Sequence, residues 1–228
     1  MDKEKIKEND AIVYILTKNN GILKCYLKGI FRPQSKNLTL FEPGNFNRLF
    51  ILTNFHKYQI ISALPLKITT QTFKNYPYLF LWTLKLVKNL KLMETPKFLW
   101  FVLNHLENYL QQNPKNFPYW FLFHLLRELG YEIDLLSCYH CQRKLKNFAF
   151  FDQKKSLFCF YCKKNGYSKI NKEELTLAKE IKNLIKIPEK IPDFVKKMLL
   201  SYFSEITEAR LPQTEFVGST KIYDRTSW

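Results

Sequence analysis

Two changes of pattern along 228 residues predict an α+β fold. Over the first 66 residues, apolar side chains come in short runs and two-residue alternations, the signature of strands with one covered face. From about Lys67 the spacing changes to three and four, the signature of helices with one buried stripe. Four cysteines, Cys138, Cys141, Cys159 and Cys162, then interrupt the helical part as two CxxC pairs. The chain therefore divides into a β-rich domain over 1–68 and a helical domain over 69–228 that carries a cysteine finger at 138–162.

The elements follow in order. Ile12 to Leu16 is a short apolar run, and Gly21 reads as a turn. In Ile22 to Lys28, Leu23, Cys25 and Leu27 face one way while Lys24, Tyr26 and Lys28 face the other, and Gly29 ends the run. Cys25 thereby reads as a small buried hydrophobe. Leu38–Phe41, Phe46–Leu52 and Tyr58–Leu66 are further β-prone runs punctuated by Pro43-Gly44, and such spacing suggests a small barrel or sandwich. Leu79, Trp82, Leu86, Leu90 and Met93 predict a helix that stops before Pro96. Leu99, Val102, Leu106, Tyr109 and Leu110 predict a second, ending near Pro114. Leu122, Leu125, Leu126 and Leu129 predict a third with Gly130 just past its end. Asn171 and Glu174 form a capping box for a helix burying Leu175, Ala178, Ile181 and Ile185 before Pro188. A last amphipathic helix starts near Pro192 and uses Val195, Leu199, Tyr202, Phe203 and Ile206. After Pro212 the tail is polar and expected to fray.

Composition narrows the function. Apolar residues at 46% exclude a disordered chain. The longest uncharged stretch, Asn116–Leu126, falls well short of the roughly 20 residues of a membrane span. The N-terminus mixes both charges and leads into no apolar core, so a soluble, cytoplasmic protein is expected, with cysteines as thiols or metal ligands rather than disulfides. A formal charge of +16 favours a polyanionic partner, although a lysine-rich surface can also be merely solvated. The charge is uneven. Residues 1–66 hold ten Lys/Arg against five acids and residues 138–165 hold seven against one, while 166–228 are nearly balanced.

Two CxxC knuckles at this separation suit one tetrahedral, structural zinc ion, because each knuckle turns two thiolates toward a common point. Residues 148–151 would supply a hairpin between them, and the metal would contribute folding free energy to a segment with little core of its own. Four thiolates leave no open position for a catalytic water. His140 is an alternative ligand inside the first knuckle. A redox CxxC is the alternative chemistry, disfavoured by the paired motif and the absence of a βαβ context.

Residues 10–17, Gly21, the run Lys28-Gly29-x-x-Arg32-x-x-Ser35-Lys36 and Leu40-x-x-Pro43 resemble the opening domain of the bacterial RecO family of recombination mediators. Leu125-Leu126-Arg127-Glu128-Leu129-Gly130-Tyr131, followed by the two CxxC pairs, resembles that family's helix, Gly-Tyr turn and zinc finger in the same order. The resemblance implies an N-terminal OB-fold β-barrel, a helical domain and a zinc-finger insertion. It also implies binding of single- and double-stranded DNA, annealing of complementary strands, and loading of the recombinase RecA onto DNA coated by single-strand-binding protein. RecR would be the working partner, the C-terminal tail of single-strand-binding protein would dock on the protein, and a nucleoid location would follow. The family's barrel opens with an apolar strand, whereas residues 1–9 offer only Ile6 and predict that strand to be missing or replaced.

An OB-fold holds single strands with a basic groove for phosphates and aromatic faces for bases. Lys24, Tyr26 and Lys28 on one strand face meet that description, and Lys24, Lys28, Arg32, Lys36 and Arg48 are candidate phosphate contacts. Arg143, Lys144 and Lys146, with Lys154, Lys155, Lys163 and Lys164, would form a second cationic surface around the zinc. Each lysine also has a plain reading as a solvated surface residue. The alternative function is an RNA-binding zinc-ribbon and OB protein of translation or RNA processing. An enzyme is not expected, because the acids are scattered and no glycine-rich phosphate loop exists among six glycines.

Overall fold

A computed structural model describes residues 2–54, 57–69, 74–90, 92–131 and 133–207. It is a mixed α+β structure with a five-stranded sheet, a three-stranded sheet and, among the described residues, seven helices. Its contacts gather into two compact units. The first joins 1–133 to 179–191, and the second joins 134–178 to the chain from 192 onward.

In the first unit, β1 (Asp2–Lys5), β2 (Ala11–Leu16), β3 (Ile22–Leu27), β4 (Phe46–Asn54) and β5 (Lys57–Lys67) lie in the order β1-β2-β3-β5-β4. All ladders are antiparallel except β3–β5, which is parallel and sets Cys25 opposite Tyr58. The alternation expected of β3 is present: Cys25 and Leu27 join Ala11, Val13, Ile30 and Ile60 in a buried cluster, while Lys24 faces water. Burial pushes the Cys25 thiol up to about 11, as befits a packing residue. Gly21 has φ +59°, and a Cβ there would lie 2.0 Å from the Leu92 carbonyl oxygen, so only glycine fits this approach.

Residues 1–9 do supply a first strand, without an apolar face. Asp2–Lys5 pairs with Ala11–Tyr14 at the sheet edge, where Glu4 and Lys5 stay in water. Lys3 meets Glu42 at 2.7 Å. The expected strand at Leu38–Phe41 is instead a single helical turn, α1 (Asn37–Leu40), with Phe41 packed on the sheet core. Four residues are too few to separate a period of two from one of 3.6.

Helices α2 (Pro77–Asn89), α3 (Lys97–Asn104), α4 (Leu106–Gln112) and α5 (Phe117–Glu128) complete most of this unit. The buried stripe of α2 is Phe80, Thr83, Leu84, Leu86 and Val87. It is rotated by about one residue, or ~100°, from the expected one, and Met93 lies beyond the helix in solvent. The single helix expected through Leu99 and Leu110 is broken at His105, yet all five predicted apolar residues are buried. Helix α5 is buried on every side from Phe117 to Leu126. It ends in a Schellman motif: Gly130 at φ +89° donates to Arg127, and Tyr131 donates to Leu126, at 3.1 and 3.0 Å.

Asn116, Trp120 and His124 recur every four residues, and all three bond to the segment 183–189. Asn116 Nδ2 donates to the Pro188 and Glu189 carbonyls at 3.0 and 2.8 Å, Trp120 Nε1 donates to Asn183 at 2.7 Å, and His124 Nε2 lies 3.2 Å from the same Asn183 oxygen.

In the second unit β6 (Ala149–Phe151), β7 (Leu157–Phe158) and β8 (Ser168–Ile170) lie in the order β7-β6-β8. The hairpin expected between the knuckles is β6–β7. Asp152 closes its turn by accepting the amides of Lys154, Lys155 and Ser156 at 2.9, 2.9 and 3.0 Å. The predicted capping box is formed, with Glu174 N–H on Asn171 Oδ1 and Asn171 N–H on Glu174 Oε2. It opens α6 (Lys172–Glu180), which buries Leu175 and Ala178 but stops well before Pro188, leaving Ile185 in solvent. Helix α7 (Asp193–Thr207) buries Val195, Leu199 and Phe203 as expected. The tail after Pro212 lies outside the described residues. Among the described residues no helix is long and apolar enough to cross a membrane.

Candidate functional site

The two knuckles converge. The first sits on a tight hairpin in which Cys138 N–H donates to the Arg143 carbonyl at 2.8 Å and Gln142 N–H returns to Cys138 at 2.9 Å, with Gln142 at φ +58°. Tyr139 N–H donates to the Leu157 carbonyl at 2.8 Å, tying this hairpin to the strand that leads into the second knuckle. There Cys162 and Lys163 donate to the Cys159 carbonyl at 3.2 and 3.1 Å. The four sulfur atoms all lie within 4.8 Å of one another, and Cys141 and Cys159 are 3.7 Å apart. A tetrahedron of thiolates about 2.3 Å from a central metal has edges of about 3.8 Å, so the residues present fit a bound metal ion.

Electrostatics agree. Burial pushes the Cys138 thiol up, but the amide groups of Cys141, Cys159 and His140 outweigh it and bring it to about 6. Burial, together with hydrogen bonds to Cys159, Cys141 and Cys138, drives Cys162 to about 12. Crowded thiols ionise unequally, and a divalent cation among them removes that conflict. The exposed His140 ring stands 3.8 Å from Cys162 Sγ, beside the four sulfurs.

The candidate nucleic-acid contacts fall into separate groups. Lys28, Arg32 and Lys36 line one shallow basin with Ser35 and Asn37. Asp10, a residue that charge patterning overlooks, shapes its wall: its carboxylate accepts the Gly29 amide at 2.8 Å and the Tyr26 hydroxyl. These bonds hold the Asp10 carboxyl below its usual range and raise the Tyr26 phenol. Tyr26 is thus half-buried and hydrogen-bonded, and a second half-buried ring, Tyr14, faces Lys24 at 5.8 Å and Lys88 at 4.7 Å. Tyr14 and Lys88 were hidden because they come from different elements. Arg48 is exposed on β4 opposite Leu64, six positions beyond the level of Cys25, or roughly 20 Å along the sheet at ~3.3 Å per residue.

Around the cysteines, Arg143, Lys144 and Lys146 are exposed. Arg143 lies over the Tyr161 ring at 5.1 Å, and Lys163 lies over Phe150 and Phe160 at 4.4 and 4.7 Å. These rings were legible in principle, since Tyr139, Phe160 and Tyr161 occupy the two x positions of the knuckles. The first unit also encloses an apolar cavity of about 350 Å³ between the sheet and helices, walled by Val13, Phe46, Phe80 and Trp100.

No curated protein matches the chain. The family model for the C-terminal part of recombination protein O matches residues 94–215, more than half of the chain and all four clustered cysteines. With a helical region and a four-thiol cluster in the matched segment, this chain belongs to the RecO family of recombination proteins and serves in DNA repair and recombination.

Proposed function

We propose that this protein is a non-enzymatic recombination mediator. It binds single- and double-stranded DNA, anneals complementary strands and helps load RecA onto DNA coated by single-strand-binding protein, working with RecR. The family match over 94–215 carries this reading. The sheet order β1-β2-β3-β5-β4, with its parallel β3–β5 pair, supports an OB-type domain in the first unit. The 3.7 Å sulfur spacing and the all-cysteine donor set support zinc, held by Cys138, Cys141, Cys159 and Cys162 in a structural role. Zinc there would supply folding free energy, and the positive charge of this unit comes from its lysines and arginine.

The chain's own residues supply the binding chemistry. The Lys28–Arg32–Lys36 basin offers one cationic surface, with Lys24 a further contact on β3, and Arg143, Lys144 and Lys146 offer another. Each neutralises phosphates without reading sequence, so affinity falls steeply with salt. Two such surfaces can each take a strand and screen the repulsion between them, which promotes annealing with no covalent step. The test is annealing of complementary DNA strands at low salt, with competing RNA. Accelerated annealing that RNA does not suppress is expected. Failure to anneal, or preference for RNA, overturns the proposal.

A further inference from the structure

In both knuckles the residues between the cysteines are aromatic or imidazole: Tyr139-His140 and Phe160-Tyr161. Because the flanking thiols turn inward, these rings turn outward. Tyr161 is 79% exposed and Phe160 54%. Apolar rings gain from burial, so leaving two adjacent rings in water forgoes a stabilisation that a small unit can use. The rings continue inward, with Phe160 5.8 Å from Tyr161 and 6.4 Å from Phe150. Cations are interleaved with them, Arg143 against Tyr161 and Lys163 between Phe150 and Phe160. The one acid of residues 138–165, Asp152, turns its carboxylate to three backbone amides and away from this role.

We infer that Phe160 and Tyr161, flanked by Arg143 and Lys163, form a stacking platform for unpaired nucleotide bases, so that the cysteine unit selects single strands over duplex. The inference rests on the DNA-binding reading above and assigns the kind of DNA this unit takes. A cation covers one face of each exposed ring; the other face can stack on a base, and the cation is then placed to meet the phosphate next to that base. In a duplex those base faces are already stacked on their neighbours, so only the phosphates remain to be bound. An acidic peptide would satisfy the cations and leave the ring faces unused.

The experiment compares the zinc-loaded full chain with F160A/Y161A, Tyr161→Phe and Arg143→Gln. Affinities for an oligothymidylate and for a duplex of mixed sequence are measured across a salt series, and zinc content is measured for each variant. The double variant should lose about ten-fold or more in single-strand affinity, with duplex affinity changed less than about two-fold. Its salt slope should be unchanged, because stacking releases no counterions, whereas Arg143→Gln should lower the single-strand slope by about 0.7. Tyr161→Phe should retain binding. If the wild type binds DNA but the double variant keeps its zinc and its single-strand affinity, the platform is refuted and the mediator reading stands. An equal loss for single strand and duplex also refutes it, as does loss of an acidic peptide's binding with oligothymidylate binding intact. A wild type that binds neither DNA form removes both readings.

Discussion

Helix α5 and the cysteine segment use aromatic rings in opposite ways. In α5, Phe117, Tyr119, Trp120, Phe121 and Phe123 are all buried; Phe117 stacks on Phe121, and Trp120 and Phe121 pack against Phe98. In the cysteine segment, Tyr139, Phe160 and Tyr161 stand in solvent. The difference follows from what holds each region together. The core of the first unit is stabilised by apolar burial, to which the rings of α5 are committed. The second unit buries Phe150, Phe151 and Phe158 with α7, but its sheet has strands of only two or three residues, and the rings between the cysteines of each knuckle lie outside that core. Four thiolates around a metal would hold the two knuckles together and leave the rings between the cysteines free for the surface.

The largest test of this contrast is metal removal. Structural zinc in small fingers contributes on the order of 10 kcal/mol. Chelation, or Cys159→Ser, should abolish hydrogen-exchange protection in β6, β7 and β8 while β2, β3 and α5 stay protected. Persistent protection at 149–170 in metal-free protein would break the comparison. Next, Trp120→Ala should destabilise the first unit by about 3–5 kcal/mol in urea unfolding, through a cavity and the loss of the shorter of two bonds to the Asn183 carbonyl. A substitution at exposed Tyr161 should change stability by less than about 0.5 kcal/mol.

A third test is pH. Burial, opposed by bonds to Asn183 and Ile181 and aided by Arg127, lowers His124 to about 4 from the ordinary 6.5. The folded state therefore resists protonation that the unfolded chain accepts. Stability should be full above pH 6.5 and fall as pH drops toward 4, by roughly 3 kcal/mol at most, and His124→Gln should flatten that slope. The smallest effect belongs to Asp10. Its carboxyl is lowered in the folded state by the Tyr26 hydroxyl and the Gly29 amide, so its contribution is present above about pH 4 and lost as pH falls below that. Asp10→Asn should remove the loss of Gly29 amide protection, relative to the intrinsic exchange rate, as pH falls below about 4, and leave global stability nearly unchanged.

Local chemistry was the legible part of this molecule. Cys138 to Cys162, the Asn171–Glu174 box and Gly130 each announce themselves within a few residues, because spacing alone sets their geometry. The hidden features depend on partners far along the chain. Helix propensity carries no sign of the break at His105, whose Nδ1 lies 2.9 Å from the Phe101 carbonyl. Ile185 looked like the next buried position of a helix, but Asn183 caps the amides of Ile185 and Lys186 after the helix has ended. Charge patterning placed Lys28, Arg32 and Lys36 close in sequence, while the Tyr14–Lys24–Lys88 group needed three elements to be assembled.

The bonds from Asn116, Trp120 and His124 to residues 183–189 also set an order of events on the ribosome. Those carbonyls leave the exit tunnel only after the whole cysteine segment has been made. At about 5–20 residues per second, α5 waits seconds with its polar groups unanswered, and the four thiols can meet their metal before the first unit closes.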